Sequence, residues 1–157
     1  MNKRVIARLK DIDCSTVKRF SFEGVSTYAR VADVHDPDTI TLVLPFNKEM
    51  IKLSVRLDGV DAPELTSKIK SETEACKAGT VALSSLIQDV VVEVQLGKFD
   101  KYGRVLARVN TLDPIIDDIT CINEWMIRFQ YVRSYSGGKK QEWSEAELKN
   151  VGIDKLT

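Results

Sequence analysis

The chain has 157 residues, enough for a single domain with a real core. Apolar residues make up 43% and charged residues 29%, with 23 cations balanced by 23 carboxylates, so the formal net charge is zero. No global cationic field exists to draw in nucleic acid, and any phosphate binding has to come from a local cluster.

Residues 1–27 form an arm that the local pattern does not place. Its cations Lys3, Arg4, Arg8 and Lys10 surround only Val5-Ile6-Ala7, too short for the apolar region of a secretory leader. An intracellular location is favoured over a mature secreted form. Phe20 and Phe22 are expected to tuck against the domain at 28–157. Ser26 to Val34 reads as a first strand, and His35-Asp36-Pro37-Asp38 as a turn. Thr39 to Leu44 alternates Thr39, Thr41 and Val43 against Ile40, Leu42 and Leu44, with the β-branched content of a strand. Pro45 to Glu49 reads as a hairpin loop. From Ile51 to Leu57 the apolar set Ile51, Leu53, Val55 and Leu57 alternates with Lys52, Ser54 and Arg56. Successive side chains on a strand point to opposite faces, so Arg56 is placed on the polar face at the strand's end.

Ala75, Ala78, Ala82, Leu83, Leu86 and Ile87 follow helical spacing, predicting a helix over Ser71–Ile87. Gly79 inside it costs about 1 kcal/mol relative to Ala, which points to close packing rather than a break. Val90, Val92, Val94 and Leu96 predict a fourth strand. Gly97 to Gly103 reads as a loop, and Arg104 to Val109 as a fifth strand. Further helices are predicted over Ile119–Ile127 and Gln141–Asn150, separated by Gly137-Gly138. The order of three strands, a helix, two strands and helices is α+β. It suits a five-stranded Greek-key β-barrel of the OB type with about three helices.

Several chemistries are absent from the sequence. Cys14, Cys76 and Cys121 are odd in number and widely spaced, which disfavours a disulfide framework or zinc site and fits a reducing compartment. No apolar run approaches the length of a membrane span, so no membrane partner is expected. His35 is the single histidine and reads as a surface residue; Cys76 reads as packing. Nucleotide-binding and serine-hydrolase motifs are missing. What remains is oxygen and guanidinium chemistry. Asp36 and Asp38 share one turn, Asp61 and Glu64 another, and Arg56 and Arg104 sit at strand ends. Carboxylates with backbone carbonyls select a hard cation such as Ca²⁺ or Mg²⁺. A metal beside two arginines can neutralise a phosphodiester, and a carboxylate can take the proton of an attacking water. The residue types suffice for phosphodiester hydrolysis, although acidic turns are equally common in solvated loops.

Three segments, in order, resemble the staphylococcal-nuclease-like (thermonuclease) family. They are Asp36-Pro37-Asp38-Thr39-Ile40-Thr41-Leu42, Arg56-Leu57-Asp58-Gly59-Val60-Asp61-Ala62-Pro63-Glu64 and Asp100-Lys101-Tyr102-Gly103-Arg104-Val105-Leu106-Ala107. Glu74-Ala75 and Ile122-Asn123-Glu124-Trp125 add support, and the resemblance spans about Tyr28 to Asn150. It implies a five-stranded OB-type barrel. It also implies calcium-dependent cleavage of single-stranded DNA or RNA to 3′-phosphates by a monomer, with Mg²⁺ or Mn²⁺ as alternative ions. By the same resemblance Asp38, Asp61 and the Ala62 carbonyl are metal ligands, and Asp36 supports them. Glu64 activates water, Arg56 and Arg104 bind the scissile phosphate, and Lys101 and Tyr102 hold a terminal phosphate. The alternative is a catalytically silent barrel that binds nucleic acid or protein, and the arm is then a candidate docking element. Pro37 stands where the family has Gly, which unsettles the placement of Asp38. Tyr131 and Tyr135 are the candidates for a nucleotide-stacking tyrosine, and packing is the alternative role for either.

Overall fold

The computed structural model describes residues 2–157. Five long strands close into a barrel: β1 (Ser26–Asp36), β2 (Thr39–Phe46), β3 (Glu49–Leu57), β5 (Val91–Phe99) and β6 (Val105–Thr111), in the order β1-β2-β3-β6-β5. A short β4 (Val60–Asp61) pairs instead with β7 (Arg133–Ser134). The helices are α1 (Lys3–Asp11), α2 (Lys70–Ile87), α3 (Ile122–Arg128) and α4 (Glu145–Lys149). The α+β architecture with a five-stranded barrel is the one the sequence predicts.

Alternation decides the barrel interior. Ile40, Leu42 and Leu44 point inward from β2, Val92, Val94 and Leu96 from β5, and Val105, Ala107 and Val109 from β6. All pairings are antiparallel except β3–β6, where Val55, Arg56 and Leu57 face Val105, Leu106 and Ala107 in parallel. A parallel pair needs a long crossover, and α2 with β5 supplies it. Strand β1 changes register twice, between Val31 and Asp33 and between Val34 and Asp36. Such bulges bend a strand, which lets β1 pair with β5 along one half and with β2 along the other.

Several sequence expectations are corrected. The hairpin between β2 and β3 is not a five-residue loop, because pairing continues through Phe46 and Glu49. Asn47 and Lys48 alone make the turn, with φ of 49° and 67°. That backbone matches the twist of the flanking strands, and Asn tolerates it. Val90 is not part of the fourth strand's buried set; it is exposed, and the strand starts at Val91 after Asp89 turns the chain at φ 62°. Gly97 to Phe99 belong to β5, so the following turn is only Asp100–Gly103. On α2 the buried stripe is Ala75, Cys76, Gly79, Leu83 and Ile87, while Ala78 is exposed. The stripe is set by what the barrel needs covered, and small alanines can face either way. The last two helices are shorter than predicted. Residues 116–121 form isolated β-bridges ahead of α3, and Ser144 with Glu147 forms a capping box that starts α4 late.

The arm does contain structure. Helix α1 buries none of its residues, and a short 3-10 turn follows at Cys14–Thr16. Phe22 is buried, and its ring meets those of Phe46 and Phe99. Phe20 does not tuck in; it rests edge-on against Phe22 and remains 61% exposed.

Asn123 ties the frame together. Its amide donates to the Asp58 and Ala107 carbonyls at 2.9 and 3.1 Å and accepts from the Val109 N–H at 3.0 Å. It thereby fixes α3, β6 and the loop leaving β3 in one register. On the other side of the site, Gly79 answers to Pro37. A Cβ on Gly79 would stand 2.8 Å from Pro37 Cγ and 3.0 Å from its Cβ. Gly79→Ala is therefore expected to destabilise the protein by about 1–3 kcal/mol, although Ala is ordinarily the better helix former. Urea unfolding of Gly79→Ala, Pro37→Gly and the double variant checks this: a stabilised single Ala variant, or additive effects, would mean the Pro37 ring yields.

Candidate active site

The β1–β2 turn, the end of β3 and the Asp100–Gly103 turn converge on one open cavity of about 1190 Å³. Its wall carries Asp36, Asp38, Arg56, Glu64 and Arg104, and the exposed Lys101 and Tyr102. Ala62 also lines it. So Asp36, Asp38, Arg56, Ala62, Glu64, Lys101, Tyr102 and Arg104 are brought together, from segments far apart in the chain.

The two arginines are linked through one turn. Arg56 lies on the polar parity of β3, yet it is buried rather than solvated. Its Nη2 donates to the Val60 carbonyl at 2.7 Å, and its Nε stands 3.4 Å from Asp38 Oδ2. Asp38 Oδ1 accepts from the Thr39 hydroxyl at 2.9 Å, and Arg104 Nη1 donates to that same hydroxyl oxygen at 3.1 Å. Arg104 Nε is held by Asp100 Oδ2 at 2.7 Å. Burial works against the Asp100 carboxylate, but N–H donors from Arg104 and Tyr102 outweigh it and hold its pKa below the usual value. Gly103 closes this turn at φ 80°, where a side chain is disfavoured. Thr39 and Asp100 are site residues that sequence reasoning did not assign. Both lie within the quoted motifs, next to residues that were assigned.

Pro37 does not displace Asp38. The Asp38 N–H still donates to Asp36 Oδ1 at 3.2 Å, and the Pro37 ring is buried beside Gly79. Burial, together with a hydrogen bond that the protonated Asp38 donates to Asp36 and the charge of Asp36, pushes the Asp38 carboxyl up to about 6, against the opposing pull of Arg56 and Thr39. Two carboxyls that share a hydrogen bond form a corner of hard oxygen donors, which is chemistry that fits a divalent cation.

Asp61 lies elsewhere. Its carboxylate is almost fully buried and both oxygens are taken. Arg133 Nε and Nη2 hold Oδ2 at 3.0 and 2.9 Å, and Lys140 Nζ holds Oδ1 at 2.9 Å. Asp61 lines a smaller cavity of about 230 Å³ with Arg133 and Glu147, not the main one. Among the described residues, no three His, Cys, Asp or Glu side chains gather where they could hold a metal ion. Arg133 and Lys140 were not foreseen, and no local spacing pairs them with a carboxylate 72 and 79 residues earlier. Arg133 is itself clamped by Glu147, by the Gln141 and Glu142 carbonyls, and by the Trp143 ring 4.2 Å away.

The two tyrosines separate clearly. Tyr131 stacks on Trp125 and packs beside Gly79 and Gly152, a core role. Tyr135 lines the main cavity, with Arg56 5.7 Å from its ring centre and its hydroxyl donating to the Gly138 carbonyl at 2.6 Å. Glu64 is exposed, and its backbone N–H is fixed by Glu72 Oε1 at 3.0 Å, from the first turn of α2. Cys76 and His35 take the roles read for them: one is buried packing, the other an exposed side chain hydrogen-bonded to Thr41.

Asp38 makes the metal-free protein pH-sensitive. Its folded pKa of about 6 lies above the unfolded value of 3.8, so its contribution is fully present below the latter and lost as pH rises through the former. Asp38→Asn is expected to stabilise the metal-free protein at pH 8 by about 1–3 kcal/mol and to flatten its decline between roughly pH 4 and 6. Denaturant unfolding in EDTA across that range measures it, and a destabilised Asn variant would contradict the assignment.

A comparison with curated proteins finds no match. A family model described as staphylococcal nuclease homologue matches residues 54–152, which include Arg56, Asp61, Glu64, Arg104 and Tyr135. With the barrel closed as this family requires and most of the motif residues on one cavity, the chain belongs to the staphylococcal nuclease homologue family.

Proposed function

We propose that the protein is a metal-dependent nuclease that hydrolyses phosphodiester bonds of single-stranded DNA or RNA. Family membership supports a nuclease or nucleic-acid-binding module. The observation that carries the catalytic reading is the placement of Arg56, Arg104 and Glu64 on one cavity wall beside the Asp36–Asp38 corner. An arginine has five N–H donors. Arg56 and Arg104 each commit only some of them to the protein, which leaves donors for the oxygens of a phosphate. Lys101, Lys139 and Lys140 line the same cavity and give the local positive charge that a neutral chain otherwise lacks.

In this mechanism the arginines hold the scissile phosphate, and Tyr135 offers a face to the adjoining base or sugar. Glu64 takes the proton of a water whose oxygen attacks phosphorus. The bond to the 5′ oxygen breaks, that oxygen takes a proton from solvent to become a hydroxyl, and the phosphate stays on the 3′ side. Asp36, Asp38 and the Ala62 carbonyl would hold a calcium ion, or Mg²⁺ or Mn²⁺ in its place, which would supply positive charge beside the phosphate. The second reading is a silent nucleic-acid- or protein-binding barrel, and one observation favours it: Asp61 is already neutralised by Arg133 and Lys140.

Labelled single-stranded DNA and RNA should be cleaved in Ca²⁺ and left intact in EDTA. Glu64→Gln is expected to lower the rate by about 10²- to 10⁴-fold while binding persists. Binding without cleavage by the wild type, under any of Ca²⁺, Mg²⁺ or Mn²⁺, selects the silent barrel.

Lys140 tests the metal assignment separately. If Asp61 is a ligand, the ammonium competes with the ion, and Lys140→Met should tighten Ca²⁺ binding by about tenfold, as expected for removing one competing charge near a buried carboxylate. Titration calorimetry reads this without reference to activity. Equal affinities for wild type and variant would remove Asp61 from the ligand set.

A further inference from the structure

Outside the site, the largest unexplained feature is the arm. On α1 the residues advance 100° each, so Val5, Ile6 and Leu9 share one sector of roughly 100°. Arg8 borders that sector on one side, Lys3 and Lys10 on the other, and Arg4 and Asp11 face away from it. The barrel does not cover this stripe. No residue of α1 is buried, and Val5 and Leu9 are 50% and 64% exposed. Ile12, Val17 and Phe20 continue the exposed apolar series to the point where Phe22 pins the arm to the barrel. Among the described residues, none of the cations Lys3, Arg4, Arg8, Lys10, Lys18 and Arg19 forms an ion pair within the chain.

Charge is divided along the same line. Residues 3–19 hold six cations and two carboxylates, leaving 17 cations and 21 carboxylates for the rest of the 157-residue chain. The arm is basic and the remainder acidic.

We infer that the arm is an interfacial anchor that lays α1 on an anionic lipid bilayer and holds the domain beside it. Cations flanking both edges of an apolar stripe suit this partner. The aliphatic side chains enter the acyl boundary while the Lys and Arg heads remain among the phosphates. Nucleic acid would use the cations but leaves the stripe in water. A protein groove would use the stripe, with no call for cations along both borders. The helix lies in the interface and does not span it. No helix among the described residues is long and apolar enough to cross a membrane. A stripe this short binds only marginally alone, so apolar and electrostatic contributions are both needed. This anchor is independent of the nuclease reading.

The test is co-sedimentation of the full chain with vesicles of phosphatidylcholine alone or with about one third phosphatidylglycerol, an anionic fraction that gives a clear surface potential. The wild type should sediment with the anionic vesicles only and be released by high salt. Leu9→Asp and the pair Arg4→Glu with Arg8→Glu should each weaken binding by at least about tenfold, as loss of either of two required signals does. Neither change should move the thermal unfolding of the barrel, because none of these side chains is buried. Three results overturn the proposal. One is the absence of binding to anionic vesicles. Another is binding that Leu9→Asp leaves intact and an oligonucleotide competes away, which marks a phosphate-binding arm. The third is binding that survives the Glu pair but not Leu9→Asp, which marks a purely apolar contact.

Discussion

A guanidinium buried at the rim of the barrel organises the site. Removing an unpaired cation from water costs several kcal/mol, so Arg56 dictates what surrounds it. The Val60 carbonyl, the Asp38 carboxylate and the face of Tyr135 all turn toward it. Each comes from a different segment: β4, the β1–β2 turn and the loop after β7. The backbone follows the same demand, with the Leu57 N–H donating to the Asp38 carbonyl at 2.7 Å and Tyr135 N–H to the Gly59 carbonyl at 2.8 Å. Satisfying one side chain thus brings together the acidic turn, the acid-bearing loop and the aromatic wall. Arg104 joins this group through Thr39, so the two cations cannot be placed independently.

Much of this was legible in the sequence, for identifiable reasons. Strands β2, β5 and β6 alternate because one face of each fills a narrow barrel, and period-two patterning survives wherever the two faces meet different solvents. Boundaries were less legible. Asn47-Lys48 was read as part of a longer loop because neither residue is Gly, yet pairing in the flanking strands is strong enough to hold both at positive φ. The predicted stripe of α2 erred at Ala78, since a methyl group has little preference between core and water. The motif residues could be named because their neighbours in sequence are also their neighbours in the site. Arg133, Lys140 and Glu72 could not, because their partners are set by tertiary closure alone.

The substitution of Pro for Gly in the acidic turn shows how such a change is accommodated. Proline narrows the turn's conformations and adds a rigid ring that has to be housed. The housing is Gly79, one residue on the facing helix whose hydrogen leaves room for the ring. Neither position is interpretable alone: Pro37 looks like a threat to Asp38, and Gly79 like a weak point in α2. Together they are a packed contact that anchors the turn to the helix, with Asp38 kept in hydrogen-bonding distance of Asp36.

The acids of the site therefore stand in two different electrostatic conditions. Asp38 stands beside Asp36 in a buried corner, where burial and the charge of Asp36 outweigh Arg56 and hold the Asp38 carboxyl above the ordinary carboxylate range. Asp61 has the opposite surplus, with two cations on one buried carboxylate. A dication brought to the first pair relieves its repulsion. If the same ion also reached Asp61, Lys140 would become free, and Lys140 already lines the cavity in which a phosphate would sit. Release of that ammonium would then add charge on the substrate side as the metal took its place on the protein side. In such an exchange the positive charge near Asp61 would be moved rather than lost, and a single lysine would link metal occupancy to phosphate affinity. Arg133, clamped by α4 and Trp143, would keep β4 in place while Lys140 moved.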